Sequence, residues 1–191
     1  MKLKKLRESV RTMLDEYDSD GYFTDEEIDV WLNEGQYDMT NHGKHLKQTS
    51  TLLTWEEHDI YNLPDDFLAI FGVEYKGRKL DKITHADIGD KRGYLVWGET
   101  IRISPEPQEE EEITLHYYRF PELMESDDDE PEIPYQYRHL LIEYAVSKAC
   151  EKDEMYDKSN LAYQKYMNGL QRFMVDSAPA PYPRQAKVTR R

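Results

Sequence analysis

The sequence predicts an α+β fold: a four-helix bundle with an inserted β-rich lobe and an extended C-terminal tail. Two changes of hydrophobic period carry that reading. Apolar residues recur at three- and four-residue steps up to residue 47 and again after residue 134, as one face of a helix requires. Between them the pattern shortens to β-branched and aromatic runs separated by turn formers. A third observation is the closing stretch SAPAPYPRQAKVTRR, proline-rich and basic, which favours an extended form without a core of its own.

In order along the chain, Leu3, Leu6, Val10, Met13, Leu14 and Tyr17 place a helix over 2–17. Asp18–Gly21 breaks it. Thr24-Asp25-Glu26-Glu27 is a capping-box signature, in which the threonine side chain and the glutamate three residues later satisfy each other's backbone amides. It opens a helix over 24–46 with Ile28, Trp31, Leu32, Met39 and Leu46 on one stripe. Strands are expected at Thr49–Leu53, Asp59–Leu63, Ala69–Tyr75, Tyr94–Trp97, Thr100–Ser104 and Ile113–Phe120, with Lys76-Gly77 and Gly98-Glu99 as turns. Ile101 and Ile103, then Leu115 and Tyr117, alternate with polar neighbours as half-buried strands do. The acidic stretch Glu125–Glu132 before Pro134 reads as a solvated linker. Leu140, Leu141, Tyr144, Ala145 and Ala149 mark a helix over 135–150, and Leu161, Tyr163, Tyr166, Leu170, Phe173 and Met174 another over 156–175. The organisation is 1–47 N-terminal helices, 48–120 inserted lobe, 121–134 acidic linker, 135–176 C-terminal helices and 177–191 basic tail.

Composition narrows the function. Charged residues make up 34% of the chain, and the net charge is −14. From Ser177 onward Arg184, Lys187, Arg190 and Arg191 stand without an acid, so the tail is +4 and the remainder −18. An acidic body gains no counterion release on a phosphate backbone, which argues against a DNA-binding module. No apolar run approaches the roughly 20 residues that span a bilayer, and the basic start at Met1–Arg7 is not followed by the apolar stretch of a secretory signal. The expectation is a soluble protein made in a cytoplasm. Cys150 is the only cysteine, which excludes an intrachain disulfide or a cysteine-based zinc site and reads as a buried helical thiol.

The sharpest local chemistry lies between the first two helices. Glu16, Asp18 and Asp20 with Gly21 and Glu27 fall at positions 1, 3, 5, 6 and 12 of an EF-hand loop. Against calcium stand the long Glu at position 1 and the missing partner hand. The competing reading is a plain turn in which Gly21 supplies the bend and Thr24 the cap. His42 and His45 are one helical turn apart, but no carboxylate completes an HExxH-type site. Glu109–Glu112 and Asp127–Glu130 are dense clusters that lack the apolar setting that tunes an acid–base pair. No glycine-rich phosphate loop, nucleophile elbow or CxxC appears. The expectation is no catalytic residue, no metal and no cofactor.

A further set of motifs runs through residues 5–175: Phe23-Thr24-Asp25-Glu26-Glu27-Ile28, Trp31-Leu32-Asn33-Glu34-Gly35-Gln36, Tyr61-Asn62-Leu63-Pro64-Asp65-Asp66-Phe67, Trp97-Gly98 with Ile101–Pro105, Leu115–Arg119, and Asp127–Pro134. In this order they resemble the head-to-tail adaptor (connector) proteins of tailed phages, including the tail tubular protein A type. The resemblance implies a helical bundle bearing a β lobe, assembled as a homo-oligomeric ring, usually of twelve copies, under the phage portal protein. Such a ring extends the DNA channel and presents a dock to the next tail component, a nozzle or tube. It implies a virion location and no membrane partner. Twelve copies at −14 would carry −168 formal charges, a field that resists adhesion of passing DNA. The alternatives are another tail-completion protein, or a calcium-binding interaction protein using residues 16–27. Within the tail, Tyr182, Arg184, Lys187, Arg190 and Arg191 are the expected partner-binding residues: the arginines suit bidentate pairing with carboxylates, and Tyr182 offers an aromatic anchor.

Overall fold

The computed structural model describes residues 1–16 and 21–178. Its described residues form an α+β protein with four α-helices and two antiparallel sheets. The helices are α1 (Leu3–Met13), α2 (Asp25–Gly43), α3 (His139–Lys152) and α4 (Tyr156–Ser177). All four contribute to one core, in which Leu6, Leu32, Leu141, Tyr166 and Phe173 are fully enclosed or nearly so. Contacts are densest between α3 and α4, followed by α2 with α3.

Local chemistry sets the helix ends. α2 starts in the expected capping box: the Thr24 hydroxyl accepts from Glu27 N at 3.2 Å and the Glu27 carboxylate accepts from Thr24 N at 3.2 Å. α1 stops at Met13, earlier than the predicted residue 17. Asp15 turns to φ 60°, Asp15 N bonds Thr12 O and Glu16 N bonds Arg11 O at 2.9 Å, the pair of bonds that closes a Schellman end. Tyr17 lies outside the described residues. α2 stops at Gly43 because Lys44 is left-handed, φ 45°, so Leu46 leaves the predicted stripe and its carbonyl accepts from Arg119 N instead. Gly43 itself packs on Phe173, where a methyl group would collide with the ring.

The middle of the chain builds two sheets. One has the order β1-β7-β3-β4, from β1 (Lys47–Leu53), β3 (Phe67–Tyr75), β4 (Arg78–Lys79) and β7 (Glu112–Arg119); the other has the order β2-β6-β5, from β2 (Ile60–Asn62), β5 (Gly93–Trp97) and β6 (Thr100–Ser104). Ser50 and Val73 both sit opposite Leu115 on the central strand β7. The inward residues of the two sheets, among them Val73, Ile101, Ile103, Ile113 and Leu115, share a second core. The predicted alternation holds: Ile101 and Ile103 are enclosed while Thr100 and Arg102 are half-exposed. β4 is a two-residue polar strand with no apolar pattern to announce it. Lys76 and Gly77, at φ 53° and 65°, make the tight hairpin that returns it onto β3.

The segment after β7 departs from the expected solvated linker. The side chains of Asp127, Asp128 and Glu130 are exposed, but the backbone is bonded to the helices along its length. Leu3 N donates to Asp129 O at 2.8 Å and Lys4 N to Asp127 O at 3.2 Å, so the loop's carbonyls cap the open N-terminus of α1. Asn33 brackets Met124 by donating to its carbonyl at 3.0 Å and accepting from its amide at 2.9 Å. Gln36, 1% exposed, donates to Glu122 O at 2.9 Å and accepts from Glu132 N at 2.7 Å. Met124 and Ile133 are buried in the helical core. The segment is a strap held by α1 and α2.

Candidate assembly surfaces

The motifs that carried the resemblance turn out to be joints of the fold. In Trp31–Gln36, Leu32 fills the core, Asn33 and Gln36 hold the strap, and Gly35 lies against the Tyr144 ring, where an added Cβ would sit at 3.2 Å. In Tyr61–Phe67, the Tyr61 hydroxyl donates to His58 O, Leu63 N bonds Glu99 O at 2.9 Å, and Asp66 accepts from the Tyr117 hydroxyl at 2.9 Å. Burial, followed by that bond, pushes the Tyr117 phenol up to about 12. Arg119 and Glu132 form a two-point ion pair, one contact at 2.9 Å, that ties β7 to the end of the strap. The guanidinium's hydrogen bonds hold the Glu132 carboxyl below its ordinary range.

Arginines join α1 to α2 as well. Arg7 reaches Asp29 at 2.6 Å, Asp127 at 3.0 Å and Asp25 at 3.3 Å, and the hydrogen bond to Asp29 raises its already high pKa. Arg11, nearly buried, donates to Phe23 O at 3.0 Å and pairs with Asp25 and with Glu16 at 3.3 Å. Of the candidate calcium loop, Glu16 therefore already faces Arg11, and its other oxygen accepts from Tyr22 N at 3.0 Å. The Glu27 carboxylate is shared between the α2 cap and Lys152, whose hydrogen bond, followed by that of Thr24, lowers its pKa. Asp18 and Asp20 lie outside the described residues.

The histidine pair does not converge. His42 Nδ1 lies 2.9 Å from Asp38 O on an exposed face, whereas His45 Nε2 lies 2.9 Å from Glu132 O, with its ring edge-on to Phe173. Burial lowers the His45 pKa. Among the described residues no group of three or more His, Cys, Asp or Glu side chains is placed to hold a metal ion. Cys150 is buried, as expected, and burial raises its thiol pKa. Tyr182, Arg184, Lys187, Arg190 and Arg191 lie outside the described residues; α4, which leads to them, ends with Asp176 accepting from the Tyr137 hydroxyl.

What the sequence reading missed is the exposed apolar surface. Val30 and Tyr37 on α2 and Leu123 on the strap stand about half-exposed or more around a depression of about 460 Å³ shared with Glu34, Asp38 and Tyr144. Tyr37 stacks on Phe120, ring centres 4.3 Å apart and nearly parallel. On the sheets, Phe71 lies over Tyr118 at 4.9 Å with Lys47 near its face, Trp55 flanks His58, and Trp97 stacks on His85 at 5.5 Å. Exposed apolar clusters of this kind are candidates for contact with another macromolecule. Val30 and Tyr37, seven residues apart, form a second stripe on α2, a signal that the stronger Ile28–Leu32–Met39 stripe conceals.

These features describe a frame tied by arginine ion pairs that leaves several aromatic side chains exposed. A family model described as SU10 adaptor protein matches residues 1–189, and the chain belongs to that family. It is thus a structural protein of the phage virion, a head-to-tail adaptor, in a family that is not an enzyme class. Membership implies assembly with portal and tail components and with further copies of the chain at the head–tail junction. No curated protein matches the chain. Among the described residues no helix is long and apolar enough to cross a membrane.

Proposed function

We propose that the protein assembles as a ring, of twelve copies, beneath the portal, where it extends the DNA channel and docks the next tail component, a nozzle or tube. In this reading α1–α4 act as a four-helix bundle, residues 48–120 as a lobe inserted between its halves, and residues 177–191 as an arm that reaches a neighbour through Tyr182, Arg184, Lys187, Arg190 and Arg191. The observation that carries it is the family match over nearly the whole chain, residues 1–189. The charge of −14 per copy supports a channel that DNA traverses without adhering. The several exposed aromatic faces support a subunit with more than one neighbour. No reaction is required, and no residue is assigned a catalytic role.

The test is the mass and rotational symmetry of the full chain, purified alone and with its portal, by electron microscopy of the particles. Twelvefold rings seated on the portal are expected. A chain that stays monomeric and fails to join the portal would sink the proposal.

A further inference from the structure

The depression around Tyr37 is one part of a longer groove. It continues on one side past Val30 to Trp31 and Lys148, and on the other past Asp38 and Tyr144 to Tyr156 and Tyr163 on α4. Its walls are aromatic, with Tyr37 braced by Phe120 and Tyr144 edge-on to Tyr166. Its rim is acidic. Lys152 is paired with Glu27 and Lys148 with Glu151 at 3.6 Å, while Glu26 and Glu34 have no cation partner among the described residues. Burial, then the nearby Glu34 and Asp38 carboxylates, push the Tyr144 phenol up to about 12. An aromatic trough with unpaired acids selects an extended proline-rich peptide that carries arginine. Prolines lie flat on aromatic rings in a conformation that loses little entropy, and guanidiniums fork onto carboxylates.

The chain carries such a peptide. Pro179, Pro181 and Pro183 alternate with small or aromatic residues, and Arg184, Lys187, Arg190 and Arg191 follow. We propose that the segment 179–191 of one copy occupies the α2–α3 groove of the adjacent copy, with its prolines and Tyr182 against Tyr37 and Tyr144 and its arginines on Glu34 and Glu26. The proposal rests on the ring reading and names the receptor for the arm. A neighbouring copy is favoured over the same copy by direction. The end of α4 lies beside His45 and Tyr137, at the C-terminal end of α2. To enter its own groove the chain would have to turn back along α2 directly after α4, and a proline-rich composition favours an extended crossing over that reversal. Thirteen residues in a polyproline form reach about 40 Å, enough to cross to a neighbour.

The test uses the full chain with Tyr182→benzoylphenylalanine, prepared in ordinary and heavy-isotope forms, mixed, assembled and irradiated. Cross-links are expected between light and heavy copies, landing within 25–43 and 139–163. Glu34→Lys with Tyr37→Ala, both exposed positions, should cut the yield about tenfold while leaving the circular dichroism unchanged. Phe71→Ser on the sheet should not change the yield. Cross-links confined to one copy, landing near Trp55 or Phe71, or absent from intact rings would overturn the groove assignment and leave the ring standing. Transfer of all cross-links to added portal would do the same. A chain that forms no oligomer overturns both readings.

Discussion

Gln36 is a position where a change that keeps volume should still carry a large cost. Its amide is 1% exposed and joins two strap residues ten apart, donating to Glu122 O and accepting from Glu132 N. Gln36→Leu keeps the approximate volume and helix propensity but removes both bonds. An ordinary hydrogen bond contributes about 1 kcal/mol net, and a buried backbone group left without a partner costs about 1–3 kcal/mol. Losing two bonds and stranding the Glu132 amide should therefore destabilise the fold by about 2–4 kcal/mol. For a domain of this size each kcal/mol moves the melting temperature by about 2–4 °C, so thermal denaturation should show a fall of about 4–16 °C. The companion Tyr37→Ala, at a half-exposed ring, should shift it by only a few degrees. A Gln36→Leu protein melting within a degree of the parent would refute the view that the strap is part of the fold's stability.

The remaining expectations concern pH and ions. The Glu132 carboxyl is held below its ordinary value of 4.5 by Arg119, so its contribution to stability is present above pH 4.5 and is lost as pH falls through the depressed value. Arg119→Gln should therefore melt lower than the parent at pH 7, and the two curves should converge as the solution is acidified below 4.5; a constant gap at every pH would refute the assignment. Millimolar calcium should leave the melting temperature unchanged, because Glu16 is engaged by Arg11 and Tyr22 N, and Glu27 by Thr24 N and Lys152. A ligand that binds only the folded state must raise it, so a rise of several degrees would reverse that view.

The helices and strands were legible because each buries one face of a regular period: Leu3, Leu6 and Val10 on α1, Ile101 and Ile103 on β6. The ends were less legible because they depend on single dihedrals, at Asp15 and Lys44, that no apolar pattern announces. The strap was hidden for a different reason. Its acidic side chains do face water, as composition said, and its attachment runs through main-chain groups that have no residue-type signature. Only its partners had one: Asn33 and Gln36, polar residues on the turn of α2 that faces inward. A buried amide in a helix has to find its bonds, and a neighbouring irregular segment is where unpaired backbone groups are found.

The docking faces follow from the same reasoning turned outward. A helix with one partner layer needs one apolar stripe, yet α2 has two, and α4 exposes Leu161, Tyr163, Met174 and Val175 beyond what its own core uses. Single exposed apolar residues are ordinary on any protein surface. Clustering is what distinguishes these: Tyr37, Val30, Leu123 and Tyr144 meet across α2, α3 and the strap only after the chain has folded. Val30 and Tyr37 are separated from Leu123 and Tyr144 by more than eighty residues of sequence, so no local window joins them. The strap brings Leu123 to that face, and Asn33 and Gln36 hold the strap. In the proposed assembly stability and docking share residues here, so a substitution that frees the strap is expected to weaken binding of the neighbouring copy before it unfolds the protein.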